Sequence, residues 1–165
     1  MLQRGIERVG TAIAPEEVLD HVLDRTGGPN KKLIELQGYQ VNVASRRLFI
    51  FKKKGTRCVS CGIRGERFYI EKFKENTTYH LNLYAVKNGV EILMTRDHVW
   101  ARGLGSSDSI SNQVTMCHLC NRDKSQKESH LANANSLKAQ KKGQKKKAPG
   151  CRPKEPLQKS PVAVA

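Results

Sequence analysis

The chain has 165 residues, enough for one domain with its own core and flanking segments but not for two full domains. Thirty Lys and Arg against fifteen Asp and Glu leave a formal charge of +15, which favours a polyanionic partner and opposes self-association. No apolar run reaches spanning length and no basic amphipathic stretch carries bulky apolar anchors, so nucleic acid is the expected polyanion and a membrane is not.

Met1 to Pro15 lacks the basic start and unbroken apolar stretch of a secretory signal, so the protein is expected in the cytoplasm where it is made. Pro15-Glu16-Glu17-Val18-Leu19-Asp20-His21-Val22-Leu23 opens as a helix, with proline in the first turn, acids at the positive dipole end and apolar residues at 18, 19, 22 and 23. Gly27-Gly28-Pro29-Asn30 ends it. His21 has no second ligand type at a matching spacing and is assigned no chemistry. Val41, Val43, Leu48, Phe49, Ile50 and Phe51 fit short strands or one buried helix equally well. Residues 1–52 are therefore read as a partly helical N-terminal extension.

Cys58 and Cys61 form one C-x-x-C pair, and Cys117 and Cys120 a second. Each pair places two thiolates about 2.3 Å from a zinc ion, and two pairs complete a closed tetrahedron with no open position for water, a structural site. Five cysteines in a reducing compartment suit four zinc thiolates and one free thiol, Cys151, better than they suit disulfides. His118, between two ligands of a filled shell, is expected to be exposed or to face phosphate.

Between the pairs the pattern is β-like: Phe68-Tyr69-Ile70, Tyr79 to Val86, and Val90 to Met94. Asn88-Gly89 predicts a tight hairpin turn, because both positions tolerate positive φ. The second strand of that hairpin delivers Asp97-His98 at its end. A Gly- and Ser-rich loop, Ala101 to Ser111, precedes a short return run Asn112-Gln113-Val114-Thr115-Met116. From Cys117 there is no proline or glycine until Gly143, which predicts a helix carrying His118, Asn121, Arg122, Lys124 and Lys127. Trp100 is expected to pack rather than to stack on a base. Leu131 to Ala165 holds nine Lys or Arg, one acid and four prolines, and is read as a disordered basic tail. Nonspecific phosphate contact is the functional alternative to a purely solvated tail. Residues 1–130 still carry net +7, so the tail alone does not account for the charge.

Strand, loop, strand and helix, with His98, Asn112 fourteen positions on and Asn121 nine further, resemble the HNH (His-Me finger) endonucleases. The resemblance is to the zinc-stapled members, which set two C-x-x-C pairs around the motif with Asn directly after the last cysteine. It covers Cys58 to about Lys127. It implies an α+β fold with a ββα-metal core over residues 53–130, stapled by a structural Zn²⁺ on Cys58, Cys61, Cys117 and Cys120. It implies hydrolysis of DNA phosphodiester bonds with His98 as general base and Asn112 in its support. Asp97 and Asn121 would hold a catalytic ion, and stand-alone relatives are often phage-encoded.

The residue types suit that chemistry. A histidine can take a proton from water near neutral pH, and a carboxylate with an amide oxygen makes a hard, sparse site of the kind Mg²⁺ or Mn²⁺ prefers. Asp97 and His98, adjacent on a strand, point to opposite faces, so ion and base approach the phosphate from different sides. Arg96, Arg102, Arg122, Lys124 and Lys127 flank the site as candidate phosphate contacts on double-stranded or branched DNA. A homodimer would suit cutting both strands, although no heptad declares one. Two alternatives remain open: a noncatalytic zinc-stapled nucleic-acid-binding protein, and a degenerate HNH subunit of a larger DNA-processing complex.

Overall fold

The structure, a computed structural model, describes residues 5–23, 31–100 and 108–130. In chain order they form β1 (Ile6–Ile13), α1 (Pro15–Leu19), β2 (Leu33–Leu36), β3 (Tyr39–Asn42) and α2 (Arg46–Lys54). These are followed by β4 (Arg67–Phe73), β5 (His80–Lys87), β6 (Val90–His98), a single 3₁₀ turn (Ile110–Asn112), β7 (Gln113–Cys117) and a helix, α3, over 118–130. The architecture is mixed α and β. A five-stranded antiparallel sheet has the order β1-β4-β5-β6-β7, and β2 with β3 makes a separate hairpin.

Alternation on the strands sets the two faces of the sheet. Phe68, Ile70, Leu81, Leu83, Ala85, Ile92 and Met94 are buried and form the core face. Helix α2 supplies Leu48, Phe49, Ile50 and Phe51 to the same core, and α1 and the turn after it add Val18 and Val22. Four consecutive buried residues leave α2 no polar face in its middle, so the segment that read equally as strands or helix is both: the β2–β3 hairpin and then a buried helix. Ser45 caps α2 by accepting from the Leu48 N–H, and Gly55 ends it. Asn88 and Gly89, at φ +52° and +74°, make the two-residue turn from β5 to β6.

Gly65 lets the chain before β4 cross the core closely. A Cβ there would stand 2.7 Å from Leu83 and 2.9 Å from Met94. At the outer edge, β1 bulges between Val9 and Ile13, and the β2–β3 turn clasps it. Gln37 accepts from the Thr11 N–H (2.8 Å) and donates to Thr11 Oγ1 (3.0 Å), which covers part of an otherwise open strand edge.

The opposite face of β4 and β5 carries a buried ionic network. Glu71, 1% exposed, accepts from Arg8 Nε (3.0 Å), Tyr84 Oη (2.9 Å) and Asn82 Nδ2 (2.5 Å). Arg8 lies 3.5 Å over the Tyr69 ring and also pairs with Glu91 (2.9 Å), so β1 is tied to β4, β5 and β6 by one side chain. Burial, and then the Glu71 charge, raise the Tyr84 hydroxyl well above its ordinary value and keep it a proton donor.

Three expectations change. Residues 1–52 do not stand apart as an extension: β1 pairs with β4, Phe51 meets Phe68 at 6.3 Å between ring centres, and position 52/53 falls inside α2. The described residues up to Glu128 belong to one compact unit, whose boundary falls between 128 and 129. Helix α1 stops after five residues, because the chain turns through backbone bonds from His21 and Val22 to Val18 and Leu19. The tail 131–165, with Cys151, lies outside the described residues, as do Gly27-Gly28-Pro29-Asn30 and 101–107. Among the described residues no helix is long and apolar enough to cross a membrane.

Candidate metal centre and the neighbouring strand end

Cys58 and Cys61 sit in a tight turn after α2, where Cys58 N–H bonds to Ile63 O (2.8 Å) and Gly62 N–H to Cys58 O (2.9 Å). Cys117 is the last residue of β7, and Cys120 lies in the first turn of α3. Val59 N–H to Thr115 O (3.0 Å) and Thr115 Oγ1 to Gly55 O (2.7 Å) fasten the turn to β7 and bring the pairs together.

The four Sγ atoms lie within 4.8 Å of one another, and those of Cys61 and Cys117 are 3.8 Å apart. A tetrahedron with metal–sulfur bonds of about 2.3 Å has edges of about 3.8 Å, so the cluster fits a metal ion such as zinc. Protonation supports the same reading. Burial raises the Cys58 thiol, but N–H donation from Cys117, Cys61 and Ser60 outweighs it and brings the thiol down to about 7. Burial pushes Cys117 up to about 12, with the Cys58 charge adding to the rise, and burial raises Cys120 as well. One thiolate forms readily and opposes the next, and a thiophilic cation removes that opposition. His118 differs from expectation: it is half-buried, and its Nδ1 is a buried atom with no hydrogen-bond partner.

Strand β6 ends at Asp97-His98, directly opposite Val114 and Gln113 of β7. Thr95 and Asp97 face α3. The single Thr95 hydroxyl proton goes to Met116 O (2.8 Å), so the contact with Asn121 Nδ2 (3.1 Å) must be donated by the amide. That fixes the amide with its carbonyl oxygen turned away from Thr95. Asn121 and Lys124 are one turn apart on α3 and meet the same strand face. Lys124 Nζ lies 2.7 Å from Asp97 Oδ2, donates to the His98 carbonyl, and reaches Glu128 at 3.6 Å.

On the other face of β6, His98 Nε2 meets Asp108 Oδ1 at 2.8 Å. Asp108 is itself held from two sides. Arg46, at the start of α2, donates Nη1 to its carboxylate and Nη2 to its carbonyl (2.5 Å). Gln113, fully buried, donates Nε2 to the same carbonyl (2.9 Å) and to Oδ1 (3.0 Å). Arg96 Nη1 in turn donates to Gln113 Oε1 (3.3 Å). Asp108, Arg46 and Gln113 carry no sequence signal, since an Asp in a Gly/Ser loop and an Arg fifty-two positions before His98 look ordinary until the chain folds.

Of the residues expected at the site, Asp97 and Asn121 share one face and His98 takes the other. Asn112 belongs to the 3₁₀ turn, not to the return strand. It grips the chain just after His98: Oδ1 accepts from Trp100 N–H (2.9 Å), Nδ2 donates to Trp100 O (3.2 Å), and its carbonyl accepts from Val99 N–H (2.9 Å). Arg96 is half-buried beneath His98, and Lys124 is bound to Asp97, so neither stands as an open phosphate contact. Arg122 and Lys127 are exposed on α3, and Arg102 lies outside the described residues. Trp100 does not pack as expected: it is 68% exposed.

No family model, curated protein or solved structure matches the chain.

Proposed function

We propose that the chain is a metal-dependent endonuclease of the HNH type, hydrolysing phosphodiester bonds in DNA. The observation that carries this reading is the division of labour at the end of β6: oxygen donors from Asp97 and Asn121 on the face toward α3, and an oriented imidazole on the other. Zinc folding of the cysteine cluster requires neither.

The carboxylate of Asp108 accepts from Nε2 of His98, which keeps that nitrogen protonated and leaves Nδ1 with the lone pair of the neutral ring. Nδ1 is then the atom that takes the proton from an attacking water. Arg46 and Gln113 hold Asp108, so the imidazole is aimed before substrate arrives, which is where rate is gained. Asp97 Oδ and the Asn121 carbonyl oxygen would hold Mg²⁺ or Mn²⁺. The Lys124 ammonium already on Asp97 supports this as a cation-seeking position. Such an ion, when bound, neutralises charge growing on the phosphate and the leaving oxygen. The four thiolates would hold a structural Zn²⁺ that joins the turn after α2 to the β7–α3 junction and takes no part in the reaction.

A second reading has its own observation. Lys124 makes a direct ion pair with Asp97, as a noncatalytic HNH-like subunit that binds DNA without cutting it would tolerate. Supercoiled plasmid separates the two. Zinc-loaded wild type that nicks or linearises DNA only with added Mg²⁺ or Mn²⁺, with His98→Ala inert, supports the nuclease. Wild type that binds DNA yet cuts neither plasmid nor a branched substrate supports the binding subunit.

A further inference from the structure

Trp100 is the chain's single tryptophan, and the residue is 68% exposed beside a second exposed apolar residue, Val99. A side chain of this size ordinarily buries most of its area in a core or an interface. Here the backbone that carries it is held in place. Asn112 accepts its N–H and donates to its carbonyl with one side-chain amide, and ties Val99 N–H with its own carbonyl. Three hydrogen bonds within two residues order the backbone beneath an indole that meets water.

The position matters as much as the exposure. Trp100 is two residues beyond His98, at most about 7 Å of extended chain. Its surroundings belong to a chain of net +15, which draws nucleic acid toward it. An aromatic face held next to a strand end read as meeting nucleic acid has one chemical class of ligand that fits both properties: a nucleobase, flat and apolar on its faces, attached to the phosphate backbone. In a duplex those faces are already occupied by neighbouring bases, so only an unpaired base can stack on the ring without prior unstacking.

We propose that Trp100 is a stacking platform for an unpaired nucleobase, and that the chain therefore prefers single-stranded or forked DNA to the intact duplex. The proposal rests on the nucleic-acid reading of the strand end but not on cleavage. With a single tryptophan, intrinsic fluorescence reports this residue alone.

The test titrates full-length, zinc-loaded protein, without added Mg²⁺ or Mn²⁺ so that no strand is cut, with a labelled single-stranded oligonucleotide, a forked substrate and the matching duplex. Anisotropy of the label gives affinity and Trp100 emission gives stacking. Wild type is expected to bind the single strand and the fork with quenching of Trp100, and the duplex without it. Trp100→Ala should weaken single-strand and fork binding by about tenfold, the scale of one lost base–aromatic stack. Duplex affinity should change less than about twofold, and Trp100→Phe should restore most of the loss. The basic tail is common to all variants and cancels in the comparison. Binding of all three DNAs with unchanged Trp100 emission, or an equal loss on single strand and duplex in Trp100→Ala, overturns the stacking role and leaves nucleic-acid binding standing. Absence of binding to any DNA by wild type overturns both.

Discussion

His98 Nε2 and Asp108 Oδ1 lie 2.8 Å apart, joining the end of β6 to a residue ten positions on, just before the 3₁₀ turn. The contact is fixed from behind by Arg46 and Gln113, so a histidine on a strand end has one ring orientation and one tautomer.

Removing the carboxylate tests that orientation. Asp108→Ala should lower kcat for DNA cleavage about 10- to 100-fold, the usual scale for a partner that orients a reacting imidazole, with KM within about twofold. Single-turnover rates and binding measured on the same preparations check the split. A rise in KM with kcat unchanged would make Asp108 a substrate contact and not a positioning residue.

On the proposed reading, Lys124 and a divalent ion would compete for the same carboxylate. Removing a unit charge about 4 Å from that ion is worth on the order of 1 kcal/mol or more, so Lys124→Met should lower the Mg²⁺ concentration for half-maximal cleavage by about threefold to tenfold. The check is a metal titration of initial rates. A higher requirement in the variant would mean that the lysine holds Asp97 in place and does not compete for it.

The cysteine cluster predicts one zinc per chain. Cys117→Ser or prolonged chelation should release that zinc and lower the unfolding transition by at least several kcal/mol, because Cys58 and Cys117 are buried between α2, β7 and α3. Metal analysis with thermal unfolding measures both. Full zinc content with an unchanged transition in Cys117→Ser would remove Cys117 from the ligand set.

Two positions away from the site test the packing. Gly65→Ala forces a methyl against Leu83 and Met94 and should cost about 1–3 kcal/mol. Glu71→Ala leaves Arg8, Asn82 and Tyr84 without their shared acceptor and should cost about 3 kcal/mol or more. Urea unfolding of zinc-loaded protein gives both values, and a change under about 0.5 kcal/mol, the level of surface substitutions, would contradict either.

Much of this arrangement is legible in the sequence, for local reasons. Asn88-Gly89 announces its turn, the spacing of Cys58, Cys61, Cys117 and Cys120 announces a cluster, and strand alternation puts Asp97 and His98 on opposite faces. What is not legible depends on distant pairing. β1 carries Gly10 and the adjacent charges of Glu7 and Arg8, and becomes a strand only against β4, some sixty residues later. Asp108 and Arg46 acquire meaning only where α2 meets the loop before β7. Trp100 is misread because packing is the commoner fate of a lone tryptophan, and nothing local shows that Asn112 will hold its backbone at the surface.

The most direct measurement is single-turnover cleavage of a branched DNA by zinc-loaded wild type, His98→Ala and Asp97→Ala, each with Mn²⁺ and without it, with Mn²⁺ binding followed in parallel. The account predicts that wild type cuts only with Mn²⁺, that both variants lose about 100-fold or more, and that Asp97→Ala alone loses the ion. Cleavage by His98→Ala at the wild-type rate, or a folded, zinc-loaded wild type that binds the DNA and leaves it whole, would contradict it.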